Sequence, residues 1–257
     1  MVRSSVPRKI LGVIPARFAS TRFPGKVLAP IAGKTMLRHV YERASLATYL
    51  TSVIIATDDD RVFAAARSFG ARVRMTRSDH LSGTDRAAEV ASAEDAGIVV
   101  NIQGDEPLIS PAAIDAAILP LVHDPDLVMG TLSKRIEDKR EIADPNVVKV
   151  VTNRAGDAIY FSRCAIPFAR EGSGGTPYFK HIGLYVYRRD FLLQYPALPV
   201  GPLETAERLE QLRALENGFR IRVVETEYES LGVDTPEDLA RVSRLFDAAI
   251  LQGRGNG

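Results

Sequence analysis

Short apolar runs rich in β-branched residues alternate with segments of helical period along the first half of the chain. Residues 10–14 (ILGVI), 52–56 (SVIIA), 71–75 (ARVRM) and 98–102 (IVVNI) have the length and composition of strands. Between them, 36–47, 60–69 and 84–96 place apolar residues three or four positions apart and are expected to be helices. Such alternation builds a parallel sheet covered by helices. The first, second and fourth strands close on polar or Gly-rich segments at 15–26, 57–60 and 103–106. In an open parallel sheet the ligand crevice lies outside those carboxyl ends, so functional residues are expected there.

Beyond about Leu121 the texture changes. Residues 127–132, 147–152, 158–163 and 181–187 read as strands with little helix among them. They imply mixed or antiparallel additions to the sheet, a strand-rich insertion that carries a second substrate. The segment 168–177, with three glycines, is expected to be a mobile loop, and the Gly-rich tail at 252–257 to fray. Residues 203–216 form a helix stopped by Asn217-Gly218, 221–225 a strand and 235–251 a final helix. The expected fold is α/β: a mostly parallel, doubly wound sheet with a strand-rich insertion. No repeat or linker divides it, so 1–257 is read as one domain, with halves at about 10–122 and 123–242.

Of the 257 residues, 46% are hydrophobic, ample for a large core, and the net charge is only +1. That balance lacks the electrostatic footprint of a nucleic-acid or membrane-surface binder. The single cysteine, Cys164, excludes an internal disulfide and a Cys-built zinc site and fits a reducing cytoplasm. The histidines show no H-x-x-x-H spacing, no apolar run approaches a membrane span, and 1–9 lacks a signal-type apolar core.

The loop 15–26, PARFASTRFPGK, places Arg17, Arg22 and Lys26 with Ser20 and Thr21 directly after a buried strand. Backbone N–H groups and cations in such a loop suit a triphosphate. It is not the ATPase phosphate loop, which requires Gly at Ser20 and Ser or Thr at Val27. Gln103-Gly104-Asp105-Glu106-Pro107 closes the fourth strand, where Gly104 permits close backbone approach and Asp105 projects into the crevice. A second carboxylate is available in Asp234-Thr235-Pro236-Glu237-Asp238. Helix capping accounts for Thr235, Pro236 and Asp238 but leaves Asp234 unexplained. Ser82 and Asp85 likewise fit a capping box, and capping is the favoured reading of that turn. His181 and Tyr185 share strand parity and so one face. In helix 203–216, Ala206, Leu209 and Leu212 define the buried stripe. Glu210 falls at its margin, and Gln211 nearly opposite.

PARFASTRFPGK and the following LAPIAGKTMLRHVYERA resemble the N-terminal signature of 3-deoxy-manno-octulosonate cytidylyltransferases. ATDDDRV, MTRSDHLSGTDRAAEV, VVNIQGDEPLI, YFSRCAIPF, KHIGLYVYRR, LETAERLEQLRALENG and GVDTPEDL resemble further blocks of that family, in order, from about Ile10 to Val242. The resemblance implies a nucleotide-diphospho-sugar transferase-like fold, cytoplasmic location, a homodimer and CMP transfer from CTP to 3-deoxy-D-manno-octulosonate (Kdo). The sugar is thereby activated for lipopolysaccharide biosynthesis. Arg17 and Lys26 would contact the phosphates, with Arg22 as a third cation, and Asp105 and Asp234 would hold Mg2+. His80, Ser82 and Gly83 would meet the cytosine or ribose. Arg163 would pair with the sugar's carboxylate, because guanidinium offers a rigid fork. Gln103, His181, Tyr185, Glu210 and Gln211 would complete the sugar pocket, with Glu210 ahead of Gln211. Phe18 and Phe23 stand where tyrosine and leucine are more usual, and neither change removes a charge. An 8-amino analogue of Kdo is the closer alternative substrate, whereas the order of blocks after Arg163 disfavours sialate. A catalytically idle nucleotide-binding protein is the rival of another class, and the presence of Arg17, Lys26, Asp105 and Asp234 speaks against it.

Overall fold

A computed structural model describes residues 9–20, 22–171 and 175–254. Part of the loop expected to move, 172–174, and the tail 255–257 lie outside them. The chain begins with β1 (Ile10–Pro15), then a small hairpin of β2 (Pro30–Ile31) and β3 (Lys34–Thr35). Next come α1 (Met36–Ala44), β4 (Ser52–Thr57), α2 (Asp60–Ser68), β5 (Arg72–Met75), α3 (Gly83–Ser92), β6 (Ile98–Asn101) and α4 (Pro111–His123). The second half holds β7 (Met129–Arg135), α5 (Lys139–Ala143), β8 (Lys149–Thr152), β9 (Ala158–Ser162) and β10 (Phe179–Arg188). It ends with α6 (Arg189–Gln194), α7 (Pro202–Glu207), α8 (Leu212–Glu216), β11 (Ile221–Glu225) and α9 (Pro236–Arg254).

One sheet runs through both halves in the order β11-β7-β10-β6-β1-β4-β5, with the β8–β9 hairpin attached through β8 to β10. Pairs β1–β4, β1–β6 and β4–β5 are parallel, whereas β10 runs antiparallel to both β6 and β7. The parallel first half and mixed second half thus match the strand patterning. Central β1 is buried on both faces, which is why it reads as a continuous apolar run. Ile14 and Val100 pack with Leu37, Val40 and Ile114 from α1 and α4, while Val13 and Val99 face Ala87 and Val90 of α3. Each such Val, Leu or Ile side chain contributes about 1.5–3 kcal/mol on burial. Strand β1 has β4 on one side and β6 on the other, so the crossovers diverge between β1 and β6. That is the topological switch point, where a ligand crevice forms.

Three expectations change. Helix α4 is absent from the sequence reading because its apolar residues run round the helix; Ser110 as N-cap and Pro111 were its legible signals. Helices α5 and α6 interrupt the second half. Helix 203–216 is two pieces: Arg208, at φ 52° and ψ 48°, is left-handed and breaks the helical phase. The stripe drawn across that break fails, since Ala206 is exposed and Gln211 is buried.

Candidate active site

The carboxyl ends of β1 and β6 lie side by side. A Cβ on Gly104 would stand 2.6 Å from Pro15 O, so glycine is what lets these strand ends approach. Asp105 follows at the rim of the crevice. Its carbonyl accepts from Val233 N at 2.9 Å, which draws the chain before α9 alongside. Asp234 therefore reaches the same place as Asp105 from the far end of the sequence. Thr235 and Asp238 form the expected reciprocal cap, so Asp234 is the residue of that motif left to face the cleft.

The loop 15–26 closes on itself. Gly25, at φ 74°, donates its N–H to Phe18 O at 2.8 Å, and a Cβ there would meet the Phe18 ring at 2.9 Å. The Arg61 guanidinium lies 3.4 Å from that ring's centroid. Neither contact requires a phenolic hydroxyl at position 18. A 3-10 turn, Lys26–Leu28, follows. The Lys26 ammonium then donates to Asp105 Oδ2 at 2.6 Å, Asp234 Oδ1 at 2.8 Å and Val233 O at 2.9 Å. Arg22 donates to the other oxygen of Asp234 at 2.9 Å. Burial opposes the charged lysine, but the carboxylates of Asp105 and Asp234 outweigh it and raise the Lys26 pKa. Burial likewise works against ionised Asp234, and Lys26 with Arg22 holds its pKa below the ordinary value.

These groups line a cleft of about 330 Å³. Arg17, Arg22 and Lys26 enter from the β1 loop, Ser82 and Gly83 from the start of α3, Gln103 and Asp105 from the end of β6, and Asp234 from the segment before α9. Arg17 donates to the carbonyls of His80 and Ser82, binding the two loops together. Ser82 caps α3 in a capping box with Asp85, as expected, and faces the cleft as well. Leu81, 92% exposed at the cleft mouth, was missed because one leucine in a polar loop carries no pattern. Two carboxylates converging on one cation, with the cleft open beside them, suit Mg2+, which takes its remaining ligands from phosphate and water.

Other sequence candidates lie outside this cleft. The His80 imidazole pairs with Glu89 instead, leaving only its carbonyl toward the loop. Arg163 spends its guanidinium on the carbonyls of Pro145, Glu207 and Arg208, at 2.9, 2.8 and 3.4 Å. It thereby clamps the turn at which the helix breaks. His181 and Tyr185 do share a face, with ring centroids 5.4 Å apart. Burial pushes the His181 imidazole down to about 3, so it is neutral, and its Nε2 meets Thr131 Oγ1 at 2.9 Å. The Tyr185 hydroxyl donates to Gln211 Oε1 at 3.1 Å, while Gln211 Nε2 is buried without a partner among the described residues. Gln211 is thus turned inward and not away from the buried side of its segment. Gln103 donates to Gly183 O at 3.1 Å, joining the cleft rim to β10.

A family model described as cytidylyltransferase matches residues 11–223. A 3-deoxy-manno-octulosonate cytidylyltransferase of Solibacter usitatus is 82% identical over 98% of this chain and 100% of its own length. The chain belongs to the 3-deoxy-manno-octulosonate cytidylyltransferase family. The same-named protein of Geobacter metallireducens is 59% identical, over 91% of this chain and 96% of its own. Among solved structures, a CMP:2-keto-3-deoxy-manno-octonic acid synthetase complexed with CTP superposes on this cytidylyltransferase with a TM-score of 0.90. It is 45% identical, over 94% of this chain and 99% of that one. The 4-diphosphocytidyl-2C-methyl-D-erythritol synthase of Anaerococcus prevotii, 13% identical with a TM-score of 0.62 over 93% of this chain and 99% of that one, shares the fold.

Proposed function

We propose that the cleft receives CTP along the β1 loop and that the protein transfers CMP from CTP to Kdo, releasing diphosphate. CMP-Kdo is the activated sugar for lipopolysaccharide biosynthesis. The observation that carries the reading is the convergence of Asp105 and Asp234 on Lys26, beside Arg17 and Arg22, in a chain of this family.

The sugar's anomeric 2-hydroxyl attacks the α-phosphorus in line, and diphosphate leaves. Arg17 and Lys26 neutralise charge on the departing diphosphate, for which Lys26 leaves its two carboxylates and turns toward the phosphates. Arg22 is the outer cation. Asp105 and Asp234 would hold Mg2+, and the bound ion would lessen repulsion between the two anionic reactants. Ser82 and Gly83 bound the nucleotide. Gln103, neutral His181, Tyr185, Glu210 and Gln211 orient the sugar. Arg163 holds the turn that presents Glu210 and Gln211. Catalysis rests on positioning and preorganised charge.

Residues 10–242 act as one unit, because a single sheet serves both halves. Exposed Ile159 and Phe168 offer apolar surface for a homodimer through the strand-rich half. The cytoplasm supplies CTP and keeps the exposed free Cys164 reduced. No described helix is long and apolar enough to cross a membrane.

Diphosphate release, measured with Mg2+, each of the four ribonucleoside triphosphates and a panel of acidic sugars, tests the assignment. Release should be strongest with CTP and Kdo. Faster turnover with sialate, or none with Kdo, overturns it.

A further inference from the structure

Between β5 and α3 the chain crosses residues 76–82, the loop on which Arg17 is seated. Thr76 anchors its start, the N–H and hydroxyl both donating to Thr57 O, at 2.8 and 3.0 Å. Ser82 anchors its end through the capping box with Asp85. Between these anchors, none of the described residues 77–81 makes a backbone-to-backbone hydrogen bond. Side chains must therefore satisfy and hold this stretch. One carboxylate oxygen does so. Glu89 Oε2, on α3, accepts from Arg77 N at 3.2 Å and from Nε2 of the His80 imidazole.

Glu89 stands one helical turn beyond Asp85, so both acids meet the loop from the same side of α3. Burial works against its charge, but the bonds from His80 and Arg77 hold its carboxyl below the ordinary value. An ionised carboxylate only accepts, so the imidazole donates. With its ring fixed in this way, His80 offers its carbonyl to Arg17 Nη2, which also reaches Ser82 O at 3.5 Å. Among the described residues Arg17 is engaged through Nη2 alone, which leaves Nε and Nη1 for a ligand. Neither His80 nor Glu89 lines the cleft that Arg17 lines.

We propose that Glu89 is a positioning residue for the triphosphate, acting through the His80 carbonyl on Arg17 and not by touching substrate. This rests on the reading of Arg17 as a phosphate-binding residue. Removing the carboxylate frees the His80 ring and the Arg77 N–H together, and 77–81 loses its anchor on α3. The guanidinium then has no fixed seat, and ordering it on binding costs affinity for CTP. Ser82 keeps its cap from Asp85, so its bond to Glu210 at 3.3 Å, and with it the sugar half, stays in place.

Calorimetric titration with CTP and Mg2+, together with steady-state kinetics in Kdo at saturating CTP, tests this. Glu89→Ala should weaken CTP binding about ten-fold and move KM for Kdo less than about two-fold. Glu89→Gln, whose amide oxygen can accept both N–H groups, should bind CTP within about two-fold of the wild type. In an Arg17→Ala background, Glu89→Ala should weaken CTP binding no further, because the two residues act as one unit. If Glu89→Ala does not fold, His80→Phe is measured in its place by the same criteria, since it keeps a ring of similar volume and removes the bond. Unchanged CTP affinity in the Glu89→Ala protein, equal losses for CTP and Kdo, or full additivity with Arg17→Ala overturns the proposal. Unchanged CTP affinity in Arg17→Ala is a separate result: it overturns the parent reading, and the proposal falls with it.

Discussion

The Lys26 ammonium lies 2.6 Å from Asp105 Oδ2, with the second carboxylate, that of Asp234, 2.8 Å away on the same nitrogen. A cation already joins the two carboxylates that are proposed to hold Mg2+. Without it, their charges face each other in a partly buried cleft, where repulsion is screened less than in water.

Lys26→Met should therefore lower kcat about 100-fold or more, and should also strengthen the carboxylate pair's attraction for a divalent ion. Adding Mg2+ to the nucleotide-free variant should raise its Tm more than the same addition raises the wild-type Tm. Equal shifts in a fluorimetric melt would contradict the placement of the ion between Asp105 and Asp234. Chelation by EDTA should abolish turnover in the wild type.

Arg163 separates two readings of one residue. As a clamp on three carbonyls, its replacement by Ala should cost about 1–3 kcal/mol for the groups left unpaired. Tm would fall together with a rise in KM for Kdo. A large KM rise at unchanged Tm would instead favour direct pairing with the sugar's carboxylate.

Gly104→Ala tests the strand-end contact. Its Cβ would stand 2.6 Å from Pro15 O, a backbone atom that cannot turn aside. Overpacking of this kind costs about 1–3 kcal/mol, or roughly 3–10 °C in Tm for a chain of this size. Asp105 would shift with it, so kcat should fall in parallel. A variant with wild-type kcat would show that β1 and β6 need not meet so closely.

Glu106 supplies a pH dependence. Burial, aided by neighbouring Asp105, pushes its carboxyl up to about 7 against the opposing bonds from Ser230 and Tyr228. Between about 4.5 and 7 the folded state keeps a proton that the unfolded chain has lost. Its contribution to stability therefore falls as pH rises through that window. Glu106→Gln, neutral at every pH, should be the more stable form at pH 8, by about 3 kcal/mol at most. The advantage should vanish near pH 4.5. Urea melts at both values check the sign.

The glycine at 104, the caps at Ser82 and Thr235, and the parallel half of the sheet were all legible in the chain. The caps rest on bonds among residues close in sequence, and the strand order on local periodicity. Asp234 was legible in part, as the one residue that capping left unexplained. Helix 203–216 was misread because the left-handed turn at Arg208 depends on Arg163, distant in sequence, drawing on the carbonyls of Glu207 and Arg208. With the phase broken there, Gln211 turns inward to Tyr185.

By itself the sequence determined the strand–helix order, the cationic loop after β1, the glycine before Asp105 and the family. These follow from local periodicity, turn sterics and motif order. Only the tertiary structure decided that Lys26 holds Asp105 and Asp234 together, that the His80 ring faces Glu89, and that Arg163 clamps the turn before Glu210. Each is a contact between segments far apart in the chain, set by how the sheet stacks its loops. The opposite charges that meet at Lys26 are an outcome of packing, which no local pattern encodes.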